Sequence, residues 1–148
     1  MGTVYADITL INCGDMAMAK GNLIGQNEIR QMTVRMLADS GAYMMGINQT
    51  VQEQLGLSFI EKRKAILADG TVKEFDVVGP IMVKFKNRTA TCSAMVLDSG
   101  RESLLGAIPM EEMDVLIHPQ RQELIVNPEH PYHAQLSLKS SYRINATI

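Results

Sequence analysis

The sequence predicts a mainly β single domain, and three observations carry that prediction. Short runs rich in Val, Ile, Thr and Tyr recur along the chain, most of them bounded by Gly, Asp, Ser or Pro. Two of these runs flank Asp69-Gly70, the kind of dipeptide that most strongly marks a tight β-hairpin. Helical signatures are confined to short stretches, after Asn48 and around Pro109.

Taken in order, TVYADITLI (3–11) alternates loosely and forms a first strand. Residues 12–28 form a connection containing Gly and Met with no clear period, an irregular insertion. IRQMTVRMLAD (29–39) alternates Ile29, Met32, Val34 and Met36 with polar neighbours and runs as a strand into Asp39. In INQTVQEQLGL, Asn48 is an N-cap and Val51 and Leu55 share one helical face. Gly56 stands where a helix end favours a left-handed residue, so the stretch predicts a helix of about two turns. KAILADGTVKEFDVVGPIMVKFK reads as strand, turn at Asp69-Gly70, strand, break at Gly79-Pro80, strand. TATCSAMVL (89–97) is a further strand. SLLGAIPMEEMDVLI (103–117) combines a buried Leu-Leu-Gly with a short helix whose first turn suits Pro109. ELIV (123–126) is the last strand before NPEHPYH breaks regularity. Residues 1–135 make the domain and 136–148 a C-terminal tail.

Composition narrows the function. A chain of 148 residues buries roughly 68–70% of its unfolded surface, enough for a core without staples. Its formal net charge is -2 and its cations are scattered, EKRK being the densest cluster, which speaks against nucleic acid as a partner. No apolar run approaches the ~20 residues that a membrane helix needs. The N-terminal stretch has Asp7 inside its apolar run and lacks a basic start, so a cytoplasmic location is expected. Cys13 and Cys92 form no paired motif and read as reduced thiols. Acceptor triplets at Asn48, Asn87 and Asn145 read as chance without a secretion signal. His130 and His133 flank Pro131 with no further ligand at sensible spacing, so neither metal nor cofactor is expected. Nucleophile-elbow, phosphate-loop and zincin motifs are all missing from the sequence.

One tripeptide occurs twice, in LADSGA (37–42) and in VLDSGR (96–101). The first belongs to a series: Asp39-Ser40-Gly41-Ala42 after a hydrophobic strand, Ala68-Asp69-Gly70-Thr71 at a hairpin tip, and Leu104-Leu105-Gly106 before a short helix. In this order, over residues 29–127, the series resembles the retropepsin-like aspartic proteases, the half-sized relatives of pepsin, and their bacterial single-lobe members in particular. The resemblance implies a closed single-lobe β-barrel with one or two short helices, a flap hairpin and a Leu-Leu-Gly psi-type loop. Asp39, Ser40 and Gly41 would be the catalytic triplet. Ala42, Ala68, Asp69, Gly70 and Thr71 would contact substrate, and Leu104, Leu105 and Gly106 would support the loop from below. Most of the family has Thr where Ser40 stands; Ser keeps the hydroxyl and loses a methyl.

Aspartic proteases as a class need two carboxylates that share one proton. The ionised one takes a proton from water while the protonated one donates to the substrate carbonyl. Asp98 is too near Asp39 in sequence to head a second lobe, and Arg101 stands where the family has a small apolar residue. Its segment therefore reads as a polar turn. With one motif per chain, the second acid has to come from a second copy, so a homodimer that cleaves peptide or protein substrates is expected. The rival readings are a non-catalytic peptide-binding module on the same scaffold, and a structural dimer in which Asp39 only stabilises the interface.

Overall fold

The computed structural model describes residues 3–138. The remainder of the tail and Asn145 lie outside the described residues. Among the described residues nine strands and three α-helices follow one another: β1 (Tyr5–Asn12), α1 (Cys13–Lys20), β2 (Gln31–Ala38), β3 (Met45–Asn48), α2 (Gln49–Leu55), β4 (Ser58–Ile66), β5 (Val72–Phe85), β6 (Arg88–Leu97), β7 (Leu104–Leu105), α3 (Ala107–Met113), β8 (Val115–His118) and β9 (Glu123–Val126). Seven strands form one sheet in the order β1-β2-β7-β3-β6-β5-β4, and β1 also pairs with β5. Six strands therefore close into a ring and β4 is left as an edge. Strands β8 and β9 form a separate pair. Among the described residues no helix is long and apolar enough to cross a membrane.

The inside of the ring holds the core. Ile8, Leu10, Met36, Ile47, Ile81, Val83 and Leu105 have no exposed surface. Each such side chain contributes about 1.5–3 kcal/mol by burial. The α-helices are only seven or eight residues long, below the length at which a helix holds itself in water, so they persist by packing on this core and by their caps. The α2 ends match the expectation from sequence. Asn48 Oδ1 accepts from Val51 N at 3.0 Å, Gly56 adopts φ 57°, and Val51 and Leu55 are buried.

Three sequence expectations are corrected. The connection 12–28 is not irregular throughout, because it contains α1 and a 3₁₀ turn at Gln26–Glu28, which brings the α-helices to three rather than one or two. Polar bonds, not an apolar face, fix α1. Asn12 Oδ1 accepts from Asp15 N (3.0 Å), and Asn12 Nδ2 donates to Leu55 O (2.8 Å). Asp15 is buried and takes three bonds from Arg30, backbone N at 2.9 Å, Nε at 2.8 Å and Nη2 at 3.0 Å.

Second, Gly79-Pro80 does not end a strand: β5 runs through it with a cis peptide bond and a register shift against β6 between Val78 and Ile81. Pro80 has no N–H to offer a ladder, and a bulge is where a strand tolerates that. The same point is where β5 changes partner. Val72 to Gly79 pair with β4, whereas Ile81 to Lys84 pair with β1. Toward the hairpin tip, from Val72 to Asp76, β5 has β4 as its only neighbour.

Third, the segment 103–117 holds more than the Leu-Leu-Gly and a short helix, because Val115–His118 is a strand paired with β9. Asp114 ends α3 at φ 55° and anchors the C-terminal part of the domain. Its carboxylate accepts from Asn127 Nδ2 and Gln135 N, both at 3.1 Å, and lies 2.7 Å from His130 Nδ1. Buried Arg88 donates from Nη2 to His130 O. The irregular NPEHPYH segment is thus strapped to the body through backbone and side chain, and His130 serves in that strap.

The Asp15–Arg30 pair gives the first expected result. The hydrogen bond from Arg30 holds the Asp15 carboxyl below its ordinary value of 3.8, against the opposing push of burial. A depressed folded-state pKa means stability that is complete above the ordinary value and is lost as pH falls through the lower, folded one. Asp15→Asn is expected to cost on the order of 1–2 kcal/mol at pH 7, with Arg30 half-exposed and so partly screened. The gap between the two proteins in urea melts should close as pH falls below the ordinary value of 3.8 and through the lower, folded one; a gap that does not change with pH over that acid range contradicts this role.

Candidate active site

The Asp39 loop is built on backbone pairing. Strand β2 lies parallel to β7, Leu37 opposite Leu104 and Ala38 opposite Leu105. Leu37 N donates to Ser103 O (2.9 Å), Ala38 N to Val4 O (2.8 Å) and Asp39 N to Leu105 O (3.1 Å). Asp39 is delivered half-buried at the end of this strand. It then closes its own turn: Gly41 N donates to Asp39 Oδ1 (2.9 Å) and Ala42 N to Asp39 O (3.2 Å). Gly41 is needed here less for a left-handed backbone than for space, since a Cβ would stand 3.0 Å from Asp39 Oδ1. Ser40 and Gly41 are exposed at the tip.

Beyond the tip the chain is held from below. Ala107 N donates to Ala42 O (2.7 Å) and Ile108 N to Tyr43 O (3.0 Å). Between them Gly106 is buried so tightly that a Cβ would meet Met44 O at 2.3 Å and Ala42 O at 2.9 Å. Leu105 has no exposure and packs inward. Leu104 differs from the expected pair of buried leucines: it is half-buried and faces an open cleft.

That cleft, of about 730 Å³, lies between the Asp39 loop and the β4–β5 hairpin. Asp39, Gly41, Ala42 and Tyr43 line one side, residues 63–68 the other, and Phe75, Leu97 and Leu104 complete the wall. Its size is that of a peptide or small-ligand site. At the hairpin tip Leu67 N donates to Thr71 O (2.8 Å) and Gly70 N to Leu67 O (2.9 Å), with Gly70 at φ 86°. Asp69 Oδ1 accepts from Thr71 Oγ1 (2.6 Å) and Thr71 N (3.0 Å), which holds its carboxyl below the ordinary range.

Of the site residues expected from sequence, the cleft thus collects Asp39, Gly41, Ala42, Ala68 and Leu104. Asp69 lines an adjoining groove of about 600 Å³. Ser40, Gly70 and Thr71 line neither. Asp98 is exposed in a turn closed by Arg101 N on Asp98 O (3.1 Å), and it forms an ion pair with Lys73 that holds its carboxyl low. It also lines the adjoining groove, not the Asp39 cleft.

Sequence reasoning missed Tyr43, Met44, Arg63 and Phe75 as cleft residues. A two-residue turn at Asp69-Gly70 would set Lys64 opposite Phe75; the observed loop is one residue longer and sets Arg63 there instead, a one-residue slip that changes which side chain faces inward.

A single aspartate on a glycine turn, a hairpin flap above it and a Leu-Leu-Gly loop beneath it on a ring of strands define a retropepsin-like aspartyl-protease fold. The comparisons with known proteins agree. Residues 25–111 match the family described as "gag-polyprotein putative aspartyl protease", and the chain belongs to that family. Among solved structures it is similar to the retroviral protease-like domain of Ddi1 from Leishmania major. The TM-score is 0.53 at 14% identity, covering 86% of this chain and 90% of that one. No curated protein matches significantly.

Proposed function

We propose that the protein is a homodimeric aspartic endopeptidase in which two Asp39 carboxylates, one from each subunit, activate a single water. The observation that carries this reading is that Asp39 is the one acid among the described residues lining the cleft. Its loop tip, Ser40 and Gly41, is exposed and so open to a symmetry mate. A lone carboxylate can act as base but cannot at the same moment supply the proton that the substrate carbonyl oxygen needs; a facing pair with one proton does both. Ser40, whose hydroxyl is at the same tip, would hydrogen-bond across the pair and keep the two loops rigid. Substrate would lie extended between the Asp39 loop and the flap, with water shed as the flap closes.

Cys13 and Cys92, free and half-buried, suit a reducing compartment such as the cytoplasm. Burial, with help from Glu112 and Cys13, pushes the Cys92 thiol up to about 12, which keeps it unreactive.

One observation favours the rival reading of a peptide-binding module: cleft and flap are complete within one chain, whereas the acid pair is not. Mixed dimers separate the two. When wild type and Asp39→Asn subunits are mixed and re-equilibrated, activity is expected to follow the square of the wild-type fraction, about one quarter at equal amounts under random pairing. Activity proportional to the wild-type fraction would refute a shared pair.

A further inference from the structure

Arg63 has an unusual position for a residue in a charged edge strand. It lies opposite Phe75 in the β4–β5 register, and opposed residues share one face of a ribbon. Phe75 is buried and lines the cleft, so Arg63 is on the inner face with it. Its Nη1 reaches across to Met44 Sδ at 3.5 Å, in the segment after Asp39-Ser40-Gly41-Ala42. A thioether is a weak acceptor, poorly matched to a guanidinium. Glu61, two residues earlier on β4, takes Nη2 and thereby fixes the fork with Nη1 toward the cleft. Against the lone acid Asp39, Arg63 is the cation that β4 turns toward the cleft; Lys64, the next residue and opposite Glu74, belongs to the other face of the ribbon.

We infer that the cleft selects peptides with an acidic side chain within a few residues of the bond to be cut, and that Arg63 is its receptor. This rests on the protease reading above and adds the substrate class. A carboxylate arriving at Nη1 replaces the sulfur with a charge-assisted bond. Flap closure excludes water around it and strengthens the attraction. Glu61 works the other way: it shares the guanidinium and repels an incoming carboxylate, so it tempers the preference.

The test is a set of matched peptides carrying Glu, Gln or Lys at each position around one cleaved bond, with kcat/KM measured for every peptide. In parallel, binding of the same peptides to uncleaving Asp39→Asn protein is followed by fluorescence anisotropy. At one position Glu should exceed Gln by about fivefold, a modest factor because Arg63 is half-exposed. Arg63→Gln should bring the two to parity, Arg63→Glu should favour Lys, and Glu61→Gln should widen the gap. Met44→Leu should leave the preference in place, since the sulfur only occupies the donor. Cleavage with no acid preference, or with one that survives Arg63→Gln, overturns the inference while the protease reading stands. No cleavage by wild type, but Glu-selective binding that Arg63→Gln abolishes, sinks the protease reading and keeps the inference. Neither cleavage nor binding overturns both.

Discussion

Asp39→Asn should end hydrolysis while leaving the fold and the affinity for peptide in place. The loop does not depend on the charge. Gly41 N donates to Asp39 Oδ1, and an Asn carbonyl oxygen offers the same acceptor at the same place. The remaining supports are backbone bonds from Leu37, Ala38 and Asp39 to neighbouring segments. What the substitution removes is the ability to hold or release a proton, and in a homodimer it removes this from both members of the pair at once. General acid–base catalysis contributes about 10²–10⁴-fold for one group, so a fall of at least about 10³-fold is expected. Initial rates on a cleavable peptide, beside a thermal melt and the binding assay, provide the check. Residual activity above a tenth of wild type would remove Asp39 from the mechanism.

Gly106→Ala should be the most damaging small substitution outside the acid itself. The added carbon would lie 2.3 Å from Met44 O and 2.7 Å from Met44 C, both backbone atoms that no rotamer change can move away. Relief requires shifting the Ala42–Met44 segment off α3, which stretches the bonds from Ala107 N and Ile108 N. Overpacking of this kind costs about 3 kcal/mol or more, a drop in Tm of roughly 10 °C for a chain of this size. Gly100, by contrast, has nothing within 4 Å of an added Cβ, and Gly100→Ala meets only its φ of 84°, a strain of about 1–2 kcal/mol. Equal losses for the two variants in urea denaturation would show that the Gly106 contact is not what holds the Asp39 loop.

What the sequence made legible were features written in local chemistry. Asn48, Val51, Leu55 and Gly56 each state part of α2, and the structure agrees at both caps. The alternation of Val34 and Met36 leads into Asp39, and Asp69-Gly70 makes the turn it signals. Features that depend on distant partners were not legible. Helix α1 buries only Asp15 and Ala19, and its anchors, Leu55 O and Arg30, come from later in the chain. Gly79-Pro80 reads as a break because a proline costs a ladder bond; that cost vanishes only where the ladder itself shifts register. The order of the three motifs announced the Asp39 loop, the flap and the loop beneath. The wall of the cleft required the strand register, which is why Leu104 turned out to face the opening and Arg63 went unnoticed.

The exchange of neighbours along β5 carries a last consequence. A two-stranded ribbon is at the low end of stability by itself, so the tip of this hairpin rests on its contact with the cleft, through Phe75 among others. Its pairs with β4 are separate from the pairs that Ile81 to Lys84 make with β1. Under the proposed function, lifting this tip to admit a chain would break no bond between β5 and β1, so access to Asp39 and the integrity of the body would be set by different parts of one strand.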